Sequence, residues 1–377
     1  MKKFIHVVGA RPNFMKIAPL MSALSRAAAE QNIELQQILV HTGQHYTPEM
    51  SDLMFEQLGL PAPDYNLEVG SGPHGQQTGK VMEAFEKVLI TEQPDLVVVV
   101  GDVNSTLACA IDARKMNIPV AHVEAGLRSF DRTMPEEINR ILTDAISDYL
   151  FTTEELARVN LVNEGIDGQR VYFVGNTMID TLLKHKNAAK NRPILEQLGL
   201  MDNGQPKSYG IATLHRPSNV DDPTTLANIL ESLLEVAKTL PLILPLHPRT
   251  QQNIRKFNLQ SLIESHTLTV IDPQGYLDFL CLLSNAKMVL SDSGGIQEEA
   301  TVLGVPCLTL RENTERPITL TEGTNRLVGK DPANIIKAFE RLKNSHGTHK
   351  IPPLWDGRAA ERIAEVLLGE TADKAAP

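Results

Sequence analysis

Short apolar runs alternate with longer amphipathic stretches along almost the whole chain. FIHVV (4–8) is followed by a turn and a helical pattern from Phe14 to Ala29. ELQQILV (34–40) predicts a second strand, and DLVVVV (95–100) reads as the clearest buried one. IPVAHV (118–123) and DYLFTT (148–153) follow the same rule, each with a helix behind it. Around 175–199 the pattern changes to a polar helical segment, after which the alternation restarts. YGIATL (209–214), LPLILPL (240–246), LTVI (268–271), MVLSD (288–292) and PCLTL (306–310) are its strands. Continuous apolar strands, each followed by a helix or turn, predict parallel sheets covered on both faces. The fold class expected is α/β, with two Rossmann-like doubly wound domains. Set face to face, their strand carboxyl ends would flank a cleft, the edge at which open α/β sheets bind ligands.

At 377 residues the chain is long enough for two cores rather than one. Its formal charge of -10 argues against nucleic acid or an anionic membrane as a general partner. No apolar run is long enough to span a bilayer, and MKKFIHVVGARP reads as a first strand rather than a signal peptide. Cys109, Cys281 and Cys307 lie among aliphatic neighbours without metal-ligand spacing, which suggests buried thiols in a reducing compartment, the cytoplasm. No metal site is expected.

An acidic protein that binds an anion needs local positive charge, and the strand ends supply it. Arg11 and Lys16 follow the first strand in GARPNFMK, at a helix start that suits an anion. HTGQHY follows the second strand, with Gln44 and His45. GDVNST puts Asp102 after DLVVVV, where it either caps the next helix or serves as a base or sugar ligand. Two His/Arg pairs, His215–Arg216 and His247–Arg249, end strands of the second half, and such pairs transfer protons and grip phosphate. In MVLSDSGGIQEEA, Ser293, Gly294 and Gly295 turn the chain from strand to helix, leaving amides able to cradle a diphosphate. Glu299, one turn along, can accept both ribose hydroxyls. Arg311 and Arg316 follow the next strand. A helix with ordinary capping would have the same local sequence.

The stretch HVEAGLRSFDRTMPEEINR (122–140) concentrates carboxylates: Glu124 after a strand, then Glu136 and Glu137 where Pro135 opens a helix. Alone it reads equally well as an ordinary Glu136–Arg140 pair beside a satisfied loop residue. Beside a nucleoside-diphosphate cradle in the second domain, it becomes the part that brings Asp102, Glu124 and Glu136 to the reacting end.

In this order, GARPNFMKIAP, TGQH, GDVNST, HVEAGLR, MPEEINR, TLHR, SDSGGIQEE and RENTERP resemble the non-hydrolysing UDP-N-acetylglucosamine 2-epimerases, over about residues 4 to 365. The resemblance implies the GT-B arrangement. Residues 1–175 would form the first domain and 176–355 the UDP-binding one, with a terminal helix in 356–377 returning to the first. It implies interconversion of UDP-N-acetylglucosamine and UDP-N-acetylmannosamine by a homodimer without a cofactor. UDP would be eliminated to give a 2-acetamidoglucal and then re-added. By motif, Asp102, Glu124 and Glu136 are the acid/base candidates, assisted by His215 and Arg140. Arg11, Lys16, His247, Ser293, Gly294, Gly295, Glu299 and Arg316 would hold UDP, and Gln44 and His45 would belong to an allosteric site. Ala10 and Asn13, and the run His215-Arg216-Pro217-Ser218-Asn219, depart from the family's commonest GTRPE and HRREN wording. The rival readings are an epimerase of another UDP-2-acetamido sugar, a hydrolysing epimerase, a GT-B glycosyltransferase and a non-catalytic sensor.

Overall fold

The computed structural model describes residues 1–43, 55–264, 267–343 and 350–373, apart from the side chains of Arg11 and of 370–373. The chain divides into two compact units, Met1–Lys184 with Pro353–Pro377, and His185–Pro352.

The first unit is built on a seven-stranded parallel sheet. Its strands are β1 (Lys2–Val8), β2 (Leu35–His41), β3 (Tyr65–Asn66), β4 (Leu96–Val100), β5 (Val120–Ala125), β6 (Tyr149–Thr152) and β7 (Val171–Phe173). They lie in the order β3-β2-β1-β4-β5-β6-β7. Every residue of β4 is buried, because helices cover both faces of the sheet. Ile5, Val7, Val97 and Val99 pack with Val81 and Phe85 of the helix His74–Glu92.

The chain re-enters this unit through Trp355, which is buried and donates its indole N–H to the Thr153 carbonyl at 2.9 Å. Asp180 then accepts the amides of Ala359 (3.2 Å) and Ala360 (2.7 Å) at the start of the helix Ala359–Asp373. That helix packs on the helix Arg11–Glu30. At Gly175 (φ +92°) a Cβ would lie 2.1 Å from the Leu354 carbonyl oxygen, so only glycine lets the two segments pass.

The second unit begins with a small antiparallel ribbon, β8 (Met201–Asp202) and β9 (Gln205–Pro206). Its six-stranded parallel sheet comprises β10 (Gly210–Thr213), β11 (Leu242–Pro245), β12 (Leu268–Ile271), β13 (Met288–Ser291), β14 (Cys307–Thr309) and β15 (Asn325–Leu327). The order is β12-β11-β10-β13-β14-β15. Leu226, Leu230 and Leu233 of the helix Pro223–Ala237 pack against Leu244, Leu290 and Leu308 of the sheet.

Each apolar run read as a strand in the sequence forms one, and the polar segment after 175 contains the helix Thr177–Lys190. In both sheets the first strand is flanked by the second strand on one side and the fourth on the other, which makes β1/β4 and β10/β13 the switch points. The connections there diverge to opposite faces and open a crevice at the carboxyl ends. No helix among the described residues is long and apolar enough to cross a membrane.

Candidate functional site

In the first unit the β1/β4 switch point is stitched by Asn13. Its Oδ1 accepts the amides of Gly9 (3.1 Å) and Ala10 (2.8 Å), while Nδ2 donates to the Val100 carbonyl (3.0 Å). Asn13 therefore fixes the first turn to the end of β4. Lys16, one turn on, is buried and reaches Glu124 of β5, with Nζ 2.7 Å from each carboxylate oxygen. Gly101 (φ +69°) lies beneath this pair: a Cβ there would sit 3.1 Å from Lys16 Nζ and 3.8 Å from Glu124 Oε1.

Glu124 is itself unusual. Its φ is +75°, at the point where the β5–β6 register shifts between Val123 and Ala125. A non-glycine residue in such a conformation costs about 1–3 kcal/mol, and a bulge of this kind re-aims a side chain. The strand thereby turns a carboxylate onto the buried lysine at its carboxyl end.

Asp102 follows Gly101. The helix Asn104–Lys115 is capped by Val103 without a side-chain bond, so Asp102 is not its cap. One Asp102 oxygen instead accepts Nε (3.0 Å) and Nη2 (2.8 Å) of Arg140. Arg140 is buried in the helix Pro135–Ile146 and gives Nη1 to Glu137, 2.5 Å away. Glu137 also accepts the Ser129 amide and hydroxyl and the Phe130 amide, closing the loop that precedes the helix. Glu136, partly exposed in the first turn, lies one helical turn before Arg140. The adjacent glutamates thus separate, Glu137 into scaffolding and Glu136 to the open face.

Behind these groups His122 is fully buried, with Nδ1 2.6 Å from Asp144 Oδ1 and Nε2 2.8 Å from the Gly101 carbonyl. Burial pushes the Asp144 carboxyl up, but His122 and Arg128 outweigh it and hold it below the usual carboxylate range.

In the second unit the β10/β13 switch point carries His215 and Asp292. Asp292 is fully buried and accepts the amides of His215 (3.0 Å) and Arg216 (2.9 Å) and the Asn219 side-chain amide (3.2 Å). The His215 ring places Nδ1 2.8 Å from Asp292 Oδ1, which turns Nε2 outward. Burial would raise the Asp292 carboxyl, yet His215 and these N–H groups hold it below the usual range. The His247 ring centroid lies 5.7 Å from that of His215, and its Nδ1 accepts the Arg249 amide at 3.2 Å. Arg249 itself pairs with Asp221 on the surface.

The helix Gly294–Leu303 starts beside this dyad, and Ser293 gives it no side-chain cap. A Cβ on Gly294 would lie 2.6 Å from Arg316 Nη1, so the glycine admits the guanidinium to the helix start. Arg316 contacts Glu315 at 2.5 Å and Glu298 at 2.8 Å, Arg311 bonds Glu315 at 2.7 Å, and Arg216 lies 3.7 Å from Glu315. The three guanidiniums thus meet around the buried carboxylates of Glu298 and Glu315. Glu299 is buried and accepts the Tyr276 hydroxyl at 3.2 Å. A depression of about 490 Å³ opens nearby among Leu246, Pro248, Val270, Asp272 and Gln274.

Structure and sequence reading differ in emphasis. Lys16 is seated on Glu124, and much of the Arg311 and Arg316 charge is met by Glu298 and Glu315. Gln44, His45 and the Arg11 side chain lie outside the described residues. Sequence reasoning assigned no role to Asn13, Glu137, Asp144, Asp292, Glu298 or Glu315. Only Asp292 carried a local sign, a carboxylate directly after an apolar strand. Among the described residues no group of three His, Cys, Asp or Glu could hold a metal ion.

Known proteins place this architecture. The UDP-N-acetylglucosamine 2-epimerase family matches residues 27–368. A UDP-N-acetylglucosamine 2-epimerase of Methanocaldococcus jannaschii is 46% identical over 96% of this chain and 97% of its own. A UDP-2,3-diacetamido-2,3-dideoxy-D-glucuronate 2-epimerase of Pseudomonas aeruginosa is 42% identical over 97% of this chain and 99% of its own. The crystal structure of the M. jannaschii enzyme with UDP-GlcNAc and UDP superimposes with a TM-score of 0.89 at 45% identity, covering 98% of this chain and 100% of that one. This chain belongs to the UDP-N-acetylglucosamine 2-epimerase family of isomerases.

Proposed function

We propose that this protein interconverts UDP-N-acetylglucosamine and UDP-N-acetylmannosamine without hydrolysis, as a cytoplasmic homodimer. One observation carries the reading: Asp102, Glu124 and Glu136 come from three different elements at the carboxyl edge of one sheet, with Lys16 and Arg140 among them. Nucleotide binding alone has no need of three such carboxylates.

The chemistry requires them. The C2 proton of the sugar is not next to a carbonyl, so direct abstraction is slow. When the bond from C1 to the diphosphate oxygen breaks, its electrons leave with UDP and positive charge develops at C1. A carboxylate then takes the C2 proton, and the C–H electrons form the C1=C2 bond of a 2-acetamidoglucal. In reverse, a second acid protonates C2 on the other face and UDP re-forms the bond to C1, so atoms and charge balance. We assign Asp102, Glu124 and Glu136 to the proton transfers, and Arg140 to holding Asp102. Lys16 is assigned to holding and orienting Glu124.

UDP is assigned to the second unit. The uncapped helix start at Ser293, Gly294 and Gly295 and the Arg316 guanidinium suit its diphosphate. Glu299 suits the ribose hydroxyls, and His215 and His247 the leaving phosphate, with Arg11 an added charge. An allosteric role for Gln44 and His45 is retained as part of the proposal. Three buried free cysteines fit a reducing compartment. The apolar side chains of Ile138, Leu142, Leu156, Val159 and Val162, exposed on two helices, fit a self-association surface.

A second reading is supported by the 42%-identical diacetamido-uronate epimerase, which points to a different sugar under the same chemistry. Both are tested by incubating the protein in deuterated water with each UDP-sugar and no acceptor. UDP-N-acetylglucosamine should yield both epimers with deuterium at C2. No change in it, with turnover of the diacetamido uronate, would move the assignment to the second sugar.

A further inference from the structure

We infer that the buried His122–Asp144 pair is a positioning device that holds the three carboxylate-bearing elements of the first unit in one arrangement. This rests on the reaction proposed above, since it concerns how that reaction's acid/base groups are kept in place.

The pair touches every one of those elements. His122 lies on β5, two residues before Glu124. Its Nε2 bonds the Gly101 carbonyl, the residue directly before Asp102. Its Nδ1 bonds Asp144, which lies one helical turn after Arg140 on the helix that also carries Glu136. The second Asp144 oxygen accepts the Gly126 amide (3.1 Å) and pairs with Arg128 (2.7 Å), so the chain is fastened two residues after Glu124 as well as two before it. Arg128 is tied in turn to Glu164. One imidazole and one carboxylate therefore join the Gly101–Asp102 turn, the Glu124 bulge and the Glu136 helix.

Two details indicate positioning rather than plain packing. Glu124 has φ +75°, a strained state that persists only where its surroundings over-determine it, and the clamp brackets it on both sides. Both His122 nitrogens are engaged, Nδ1 with Asp144 and Nε2 with the Gly101 carbonyl, so the ring cannot turn without losing both contacts. A parallel tether, Asn139 to the Asp102 carbonyl at 2.9 Å, joins two of the elements but does not reach Glu124. His122 and Asp144 are fully buried and act only through the groups they hold.

The test uses the full chain with Asp144→Asn and His122→Gln. Displacing reacting groups by about an ångström costs about 100-fold in rate, so kcat for epimerisation and deuterium entry at C2 should fall together by about that factor. KM and UDP affinity by calorimetry should hold, because UDP is read onto the other unit. A folded variant with wild-type kcat overturns the inference, as does a loss of kcat matched by an equal loss of UDP affinity. If the variants fail to fold, the wild-type protein decides by nitrogen-15 histidine NMR. A His122 ring N–H protected from solvent exchange supports the clamp, and one that exchanges freely overturns it. A wild-type protein inert toward UDP-N-acetylglucosamine but showing that protection would refute the proposed reaction and leave the clamp geometry standing.

Discussion

Lys16→Met removes the buried lysine that pairs with Glu124 in the first unit. Lys16 and Glu124 are about 95% withdrawn from solvent, with side-chain exposures of 5% and 4%, and their charged atoms are 2.7 Å apart. Breaking a buried ion pair by deleting one partner costs about 3–5 kcal/mol, because the remaining charge is stranded. Methionine replaces most of the apolar stem, so the loss is mainly electrostatic. The lone tryptophan makes the measurement local, since Trp355 is buried in the same unit as the pair. With a urea slope of about 3 kcal/mol per M, the fluorescence midpoint should drop by about 1–2 M. Glu124→Gln alone should also destabilise, by leaving the ammonium unpaired. The double variant should cost less than the two singles summed, by a coupling of about 2–3 kcal/mol. Purely additive effects, or a single-variant midpoint shift lost in the error, would refute the pairing. All three variants should lose C2 exchange, whatever their stability.

Three further outcomes follow from named contacts. Gly294→Ala should weaken UDP binding at least about tenfold by calorimetry, because its methyl would meet the Arg316 guanidinium at 2.6 Å; unchanged affinity would remove this helix start from the UDP site. Asp292→Asn turns an acceptor surrounded by N–H groups into a partial donor and releases His215, so turnover should fall about 100-fold or more. Wild-type rates in a folded Asp292→Asn protein would deny His215 a part in the reaction. Burial raises Asp180 from 3.8 to about 6, against the pull of the Ala360 and Ala359 amides. Since the folded value is the higher, its contribution is present below pH 4 and lost as pH climbs through 6. Relative to Asp180→Asn, wild-type stability should therefore decline by about 3 kcal/mol from pH 4 to pH 7, and a flat difference would count against the raised value.

The sheets were legible because an apolar run such as LVVVV has to be buried on both faces, whatever its partners. β3, β7, β15 and the β8–β9 ribbon, each strand two or three residues long, were not. Asp102, Glu124 and Ser293 could be found because they stand at or just past the ends of apolar runs. Glu137 could not be told from Glu136 by composition; what separates them is a loop folding back so that Ser129 and Phe130 donate to one of the two. Asp144 looks like any polar residue on an amphipathic helix until His122, 22 residues away in sequence, is placed beside it. The Glu124 bulge has no residue signature, since glycine or asparagine would be the usual occupant of its dihedral region.

The route of the chain has a consequence for how the protein is made. The first unit needs the helix Ala359–Asp373, whose Ala359, Ile363 and Leu367 are fully buried, yet all of the second unit is translated in between. At about 5–20 residues per second, the helix Arg11–Glu30 waits roughly twenty to seventy seconds on the ribosome with its apolar face uncovered. The second unit is contiguous and can close during that interval. A stop codon just before Ala359 would therefore strike the first unit, most of which is made before the second.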